Sequence, residues 1–169
     1  KTGWEKMKIR NAAMYDINEI TAVESACFPE AEAATREEFE KRLAHYADCF
    51  WLMTDDNGKI ISFVDGMATD RRDLTDEMYE NAALHDPNGR WQMIFGVNTL
   101  PEYRRRGYAE ALLRRVAIDA KNRGRSGLVL TCKERLIHYY AKLGFVNEGL
   151  SRSTHGDAVW YQMRLTFEK

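Results

Sequence analysis

At 169 residues, with 44% hydrophobic and 11% aromatic side chains, the chain has the length and composition of one folded domain. Its 25 Lys and Arg against 26 Asp and Glu leave a formal net charge of −1, which argues against a dedicated nucleic-acid or anionic-membrane binder, since neither would gain from long-range attraction. Cys27, Cys49 and Cys132 are scattered without metal-ligand spacing and read as reduced thiols of a cytoplasmic protein, and no apolar run reaches the ~18 residues of a membrane span.

The opening KTGWEKMK has no apolar signal-peptide core, and residues 1–6 are expected to be disordered or left over from processing or expression. Residues 7–12 predict a first strand. Asp16 and Glu19 are spaced as a capping box, opening a helix with Ile17, Ile20, Val23 and Cys27 roughly on one side and Phe28-Pro29 at its end. Thr35 and Glu38 form a second box, and Phe39, Leu43 and Tyr46 are the buried stripe of a second helix. These two helices and the acidic loop between them read either as simple packing or as a wall over a substrate site.

Phe50–Thr54 predicts a strand, Asp55-Asp56-Asn57-Gly58 a turn, and residues 59–69 the returning strand of a hairpin. Residues 70–90 form a long charged segment with a short helix inside 74–83, and unstructured loops of that length are often functional. Next come an apolar strand over 92–99, a connector over 100–106 holding Pro101 and three arginines, and a helix opened by Gly107 and stopped by Gly124. Ala109, Leu112, Leu113, Val116, Ala117 and Ala120 give that helix one buried face. A strand over Gly127–Cys132, a helix over 134–143 stopped by Gly144, a strand beginning at Phe145, a polar loop over 149–157 and a strand over 158–165 complete the chain. The order β-α-α-β-β-β-α-β-α-β-β implies an α/β domain: one central mixed sheet, antiparallel first and βαβ-like later, flanked by helices.

The chemistry concentrates at the strand–turn–helix junction. A helix begins with backbone N–H groups that lack internal acceptors, and its dipole adds partial positive charge there. Glycine lets a ligand approach the main chain, and Arg104, Arg105 and Arg106 precede it, so the turn can hold a diphosphate. A solvated basic turn and an RNA contact are the competing readings.

The spacing Arg104-x-x-Gly107-x-Ala109 resembles the Arg/Gln-x-x-Gly-x-Gly/Ala signature of the GNAT superfamily of N-acetyltransferases. A second landmark, a helix ending in Tyr-x-x-x-Gly-Phe, is matched by Tyr140, Gly144 and Phe145. More narrowly, Leu74-Thr75-Asp76-Glu77, Leu84-His85 and Cys132 resemble the arylalkylamine N-acetyltransferase branch. The resemblance covers roughly residues 7–165. It implies the GNAT acyl-CoA N-acyltransferase fold as a single acetyltransferase domain over 1–169, with acetyl-CoA as co-substrate and no metal. It also implies a small-molecule primary amine as partner, no nucleic acid or membrane, and a homodimer as one possible assembly.

By the same resemblance, Val97, Asn98 and Thr99 lie on the strand that pairs with the pantetheine amides, Asn98 pointing its side chain the other way. Arg104, Arg105, Arg106, Gly107, Tyr108, Ala109 and Glu110 form the pyrophosphate loop and first helical turn. Tyr140 matches the general acid toward the coenzyme sulfur, although in isolation it would pass for a core aromatic. Two departures stand out. Met93 and Phe95 occupy the positions of a histidine pair that carries protons in the animal arylalkylamine enzymes, and Lys133 stands where many members have Asn. The implied reaction is direct attack by a neutral amine on the thioester, with backbone N–H groups polarising the carbonyl. His85, His138 and His155 read as surface or loop residues, and Cys132 lacks the partners of a nucleophile. A peptide or protein amine, or acyl-CoA binding without transfer, are the alternatives.

Overall fold

Residues 8–11 extend as β1 (Lys8–Asn11), and two helices follow, α1 (Ile17–Cys27) and α2 (Arg36–Tyr46). In this computed structural model, which describes residues 6–168, the described chain falls into two units of packing: residues 6–65 with 96–116, and residues 66–95 with 117–168. The segment expected to be disordered or expression-derived, residues 1–6, lies outside the described residues except for Lys6.

In the first unit, β1, β2 (Phe50–Thr54), β3 (Ile60–Asp65) and the later strand β6 (Gly96–Thr99) form an antiparallel ladder in the order β1-β2-β3-β6. Every residue of β2 and β3 is buried, as expected of central strands rich in Phe, Ile, Leu and Met. Phe39 of α2 packs edge-on against Phe50 and Phe63, with ring centroids 6.1 and 6.0 Å away. Burying a phenylalanine of this kind contributes ~1.5–3 kcal/mol. The Thr35–Glu38 capping box forms as expected, Glu38 N–H donating to Thr35 Oγ1 and Thr35 N–H to Glu38 Oε1. The Asp16–Glu19 box does not. Asp16 is drawn away by the Arg10 guanidinium (2.8 Å to each oxygen) and the Ala13 N–H, while Glu19 caps the Ile60 N–H.

In the second unit, β4 (Ala68–Thr69), β5 (Trp91–Ile94), β7 (Gly127–Cys132), β9 (Tyr161–Thr166) and β8 (Val146–Leu150) form a mixed ladder in that order, β5 and β7 running parallel. The mixed α/β class is as the sequence implies, but the strands divide into two ladders instead of one. The run over 59–69 breaks into β3 and β4 at Gly66, where a Cβ would lie 1.8 Å from the Met93 carbonyl oxygen. The run over 92–99 likewise breaks at Phe95 into β5 and β6.

The charged segment 70–90 holds α3 (Asp76–Glu80) and a 3-10 turn at Ala82–Leu84. It is tied down rather than loose. Leu74 N–H donates to Gln162 Oε1 at 3.0 Å, and the Asp76 carboxylate accepts from Thr154 N–H and Ser153 Oγ. The later helices are α4 (Tyr108–Asn122) and α5 (Ile137–Lys142), the second entered through a 3-10 turn at Glu134–Leu136. Gly124 and Gly144 stop them with φ of +82° and +99°, a conformation only glycine adopts without strain. Leu112, Leu113, Val116 and Ala120 are the buried stripe of α4. No helix among the described residues is long and apolar enough to cross a membrane.

Candidate functional site

The first unit carries all ten residues expected to hold the coenzyme. β6 ends its ladder, so among the described residues one of its edges has no strand beside it there. Leu100 N–H donates to the Ile61 carbonyl at 2.9 Å, and in an antiparallel ladder hydrogen-bonded pairs alternate. The backbone groups of Asn98 and Gly96 therefore turn toward β3, and those of Val97 and Thr99 face the open edge. The Thr99 carbonyl is already served there, accepting from Cys27 Sγ at 3.3 Å and Arg104 Nε at 3.0 Å. Both of its lone pairs are engaged, which leaves the Thr99 N–H and both Val97 groups for an extended ligand.

Arg104 thus fastens the following turn back onto the strand. Beyond it the chain takes φ of +62° at Arg105 and +81° at Gly107. A left-handed non-glycine residue costs about 1–2 kcal/mol, so the turn is held in a strained winding. Arg104, Arg105, Arg106 and Gly107 are all exposed, and a Cβ on Gly107 would meet nothing within 4 Å. The first intrahelical bond of α4 runs from Ala111 N–H to the Gly107 carbonyl at 3.1 Å, so the N–H groups ahead of it lie at the mouth of the helix. The Arg106 guanidinium and Lys59 ammonium lie 5.4 and 5.5 Å from the Tyr103 ring centre, keeping positive charge beside that mouth. Glu110, the one acid in the first turn, is paired with Arg114 at 2.6 Å. An exposed helix start, three guanidinium groups and a glycine with open space fit a diphosphate.

The side chain of Asn98 points into the protein and is fully buried. Phe63, Asp65, Gly96 and Asn98 are register partners and so share one face of the ladder. Glu24 of α1 and Arg42 of α2 meet that face. Arg42 Nη1 pairs with Asp65 Oδ2 at 3.2 Å, both groups almost wholly buried. Glu24 Oε2 accepts from the Ala34 N–H at 2.9 Å, which ties the loop between the helices to α1. Its Oε1, like both polar atoms of the Asn98 amide, is buried without a hydrogen-bond partner. Burial first, and then the neighbouring Asp65 carboxylate, push Glu24 up to about 7, against the Ala34 N–H, the Arg42 guanidinium and the adjacent Asn98 amide. Reasoning from sequence did not single out Glu24. The signal was present: positions 17, 20, 24 and 27 make one helical face, and a carboxylate interrupts an apolar stripe.

Tyr140 lies in the second unit, on α5, with its ring edge-on to Tyr139 and Phe145 at 5.0 and 5.7 Å. It is 7% exposed, and burial raises its phenol well above the usual value. Cys132 is buried beside Met163, and burial pushes its thiol up to about 11, which removes thiolate reactivity. His85 Nδ1 accepts from the Ala68 N–H at 3.0 Å and so serves structure. His138 is exposed. His155 stacks on Tyr79 at 4.6 Å, and Phe95 lies 4.8 Å from the same tyrosine. Met93 is buried, and Lys133 sits over the Trp160 ring at 5.7 Å.

A family model described as acetyltransferase (GNAT) family matches residues 14–145. Comparison with curated proteins finds no match. Among solved structures, the loading GNATL domain of CurA from Lyngbya majuscula aligns with a TM-score of 0.81 at 17% identity, covering 95% of this chain and 97% of that one. The GphF GNAT-like decarboxylase in complex with isobutyryl-CoA aligns at 0.80 and 20%, covering 94% and 98%. The ribosomal-protein-S18-alanine N-acetyltransferase from Escherichia coli aligns at 0.72 and 19%, covering 96% and 95%. At these identities the likeness is one of fold.

Proposed function

We propose that this chain, which belongs to the acetyltransferase (GNAT) family, moves an acetyl group from acetyl-CoA to the primary amine of a small molecule by direct attack on the thioester. The observation that carries this reading is the exposed, arginine-lined start of α4, continuous with the open edge of β6. In this reading Arg104, Arg105, Arg106 and the main chain from Gly107 through Tyr108 and Ala109 to Glu110 hold the diphosphate. The Val97 backbone and the Thr99 N–H bind the pantetheine amides. Acetyl-CoA supplies the activated acyl group. Tyr140 protonates the departing sulfur, and its raised phenol remains protonated throughout the neutral range, as a general acid must.

An aromatic amine is the preferred acceptor. Its support is the likeness of residues 74–77 and 84–85 to the arylalkylamine branch, together with the second unit's half-buried aromatic group of Phe95, His155 and Trp160 around Tyr79. A peptide amine is the second reading, favoured by the neighbour named for a ribosomal protein's alanine. Thiol release from acetyl-CoA, followed over a panel of aromatic amines, polyamines and peptides, tests both. Amine-dependent, saturable release with an aromatic amine is expected. Faster turnover of peptides would favour the second reading, and tight coenzyme binding with no amine-dependent release would reduce the chain to a sensor of acyl-CoA.

A further inference from the structure

Tyr79 of α3 has two aromatic rings against it. Phe95 lies 4.8 Å away and tilted by 45°, and His155 lies 4.6 Å away and nearly parallel, at 17°. Resting on the reading of this chain as an acetyltransferase of aromatic amines, we propose that His155 is a placeholder. The acceptor's ring stacks on Tyr79 where the imidazole now lies, and segment 153–157 swings aside to admit it.

The platform and its cover are held in different ways. Tyr79 is 9% exposed, its hydroxyl is 3.3 Å from Thr131 Oγ1 of β7, and Phe95 beside it is fixed between β5 and β6. His155 instead lies in a 3-10 turn, His155–Asp157, beyond the last register pair of β8 and β9, Leu150 with Tyr161. Ser153 Oγ and Thr154 N–H tether the segment to the Asp76 carboxylate, and Trp160 Nε1 donates to the His155 carbonyl at 2.8 Å. The turn is wound left-handed at Gly156 and Asp157, with φ of +63° and +56°, a conformation that disfavours the aspartate. A half-buried segment outside the ladder, tied by a few polar bonds and wound against preference, opens more easily than the strands around it.

Ring chemistry then decides which acceptors gain. Opening forfeits the stack between Tyr79 and His155, and only a flat π-system restores it, because a saturated ring lacks the charged face and edge that make aromatic pairs attract. An aromatic amine recovers on binding what opening lost, and an aliphatic amine does not. The placeholder is therefore a filter for aromatic acceptors. Trp160, half-buried and 6.1 Å from His155, lines the same place with a further ring.

The test compares 2-phenylethylamine with 2-cyclohexylethylamine, equal in ring size but not in aromaticity, as acceptors for the wild type, His155→Ala and Tyr79→Leu. In H155A the KM for 2-phenylethylamine should fall about three- to tenfold at unchanged kcat, because nothing has to be displaced. In Y79L it should rise by a similar factor. The saturated amine should move less than about twofold in either variant, since it makes no stack with Tyr79. Loss of a merely structural residue would instead harm both amines alike. In the wild type, the Trp160 indole N–H followed by NMR should shift and saturate as 2-phenylethylamine is added without donor, since its bond to the His155 carbonyl is broken when the segment moves. A KM for 2-phenylethylamine that stays or rises in H155A overturns the proposal, as does an indole signal that stays still at saturating amine. Either result leaves acetyltransfer standing if the wild type still releases thiol with the amine. A wild type that releases no thiol with any amine overturns acetyltransfer, and the indole titration then decides by itself whether the aromatic platform exists.

Discussion

Tyr140→Phe should lower kcat by about 100- to 10,000-fold, the range for losing a positioned acid, with coenzyme affinity unchanged. Phenylalanine keeps the edge-on contacts with Tyr139 and Phe145, so the variant should fold and melt like the parent. The shape of the pH profile is the sharper prediction. Burial raises the phenol above its usual range, so it is fully protonated across any ordinary assay. Its removal should therefore lower the rate by the same factor at every pH and leave the shape of the profile unchanged. A thiol of ordinary acidity then depends on solvent for its proton, and amines that attack slowly should suffer most. Steady-state rates between pH 6 and pH 9 decide the matter. Full turnover by the phenylalanine variant across that span would remove Tyr140 from the chemistry.

The second large effect is expected from Arg106→Glu combined with Gly107→Val. The glycine holds φ of +81°, where a β-branched residue is strained by ~1–2 kcal/mol, and the arginine places its charge beside the helix mouth. Losing one charge-assisted contact and reversing its sign costs a further ~2 kcal/mol. The charge reversal alone weakens coenzyme binding roughly thirtyfold at ~1.4 kcal/mol per tenfold, and any relaxation of the strained turn away from the shape that holds the diphosphate adds to it. Gly107 is exposed with open space around it, so the variant should stay folded. Wild-type affinity should also fall with added salt, whereas Arg152→Glu, which removes an exposed arginine of the second unit, should bind coenzyme normally. Calorimetric titration of coenzyme A into each protein gives the comparison.

The parts of the fold that were legible in the sequence are those fixed by local chemistry. Phe50–Thr54 and Gly127–Cys132 form strands at the boundaries expected, because apolar runs bounded by polar turns have few other options. Thr35 and Glu38 cap α2 since both partners lie within one turn. Where a distant group intervened, reading the sequence failed. Asp16 looked like a cap but is held by Arg10, and Glu19 is claimed by the backbone of β3. The breaks at Phe95 and Gly66 left only a glycine each as a local mark, Gly96 and Gly66, and the second is imposed by close approach to the Met93 carbonyl.

The site divides in the same way. The arginine turn and its glycine are contiguous, so spacing alone exposed them. The Glu24 cluster draws one residue each from α1, α2, β3 and β6, and only folding brings those together. Its trace in the sequence was a single acidic residue on an apolar helical face.

The most direct test of the central claim is to follow the backbone amides by NMR as acetyl-CoA is added. The amides of Val97 and Thr99 and of residues 107–110 should shift together and saturate at one affinity, and that response should be lost in the Arg106→Glu, Gly107→Val protein. Saturable binding that moves amides elsewhere and leaves those six still would contradict it.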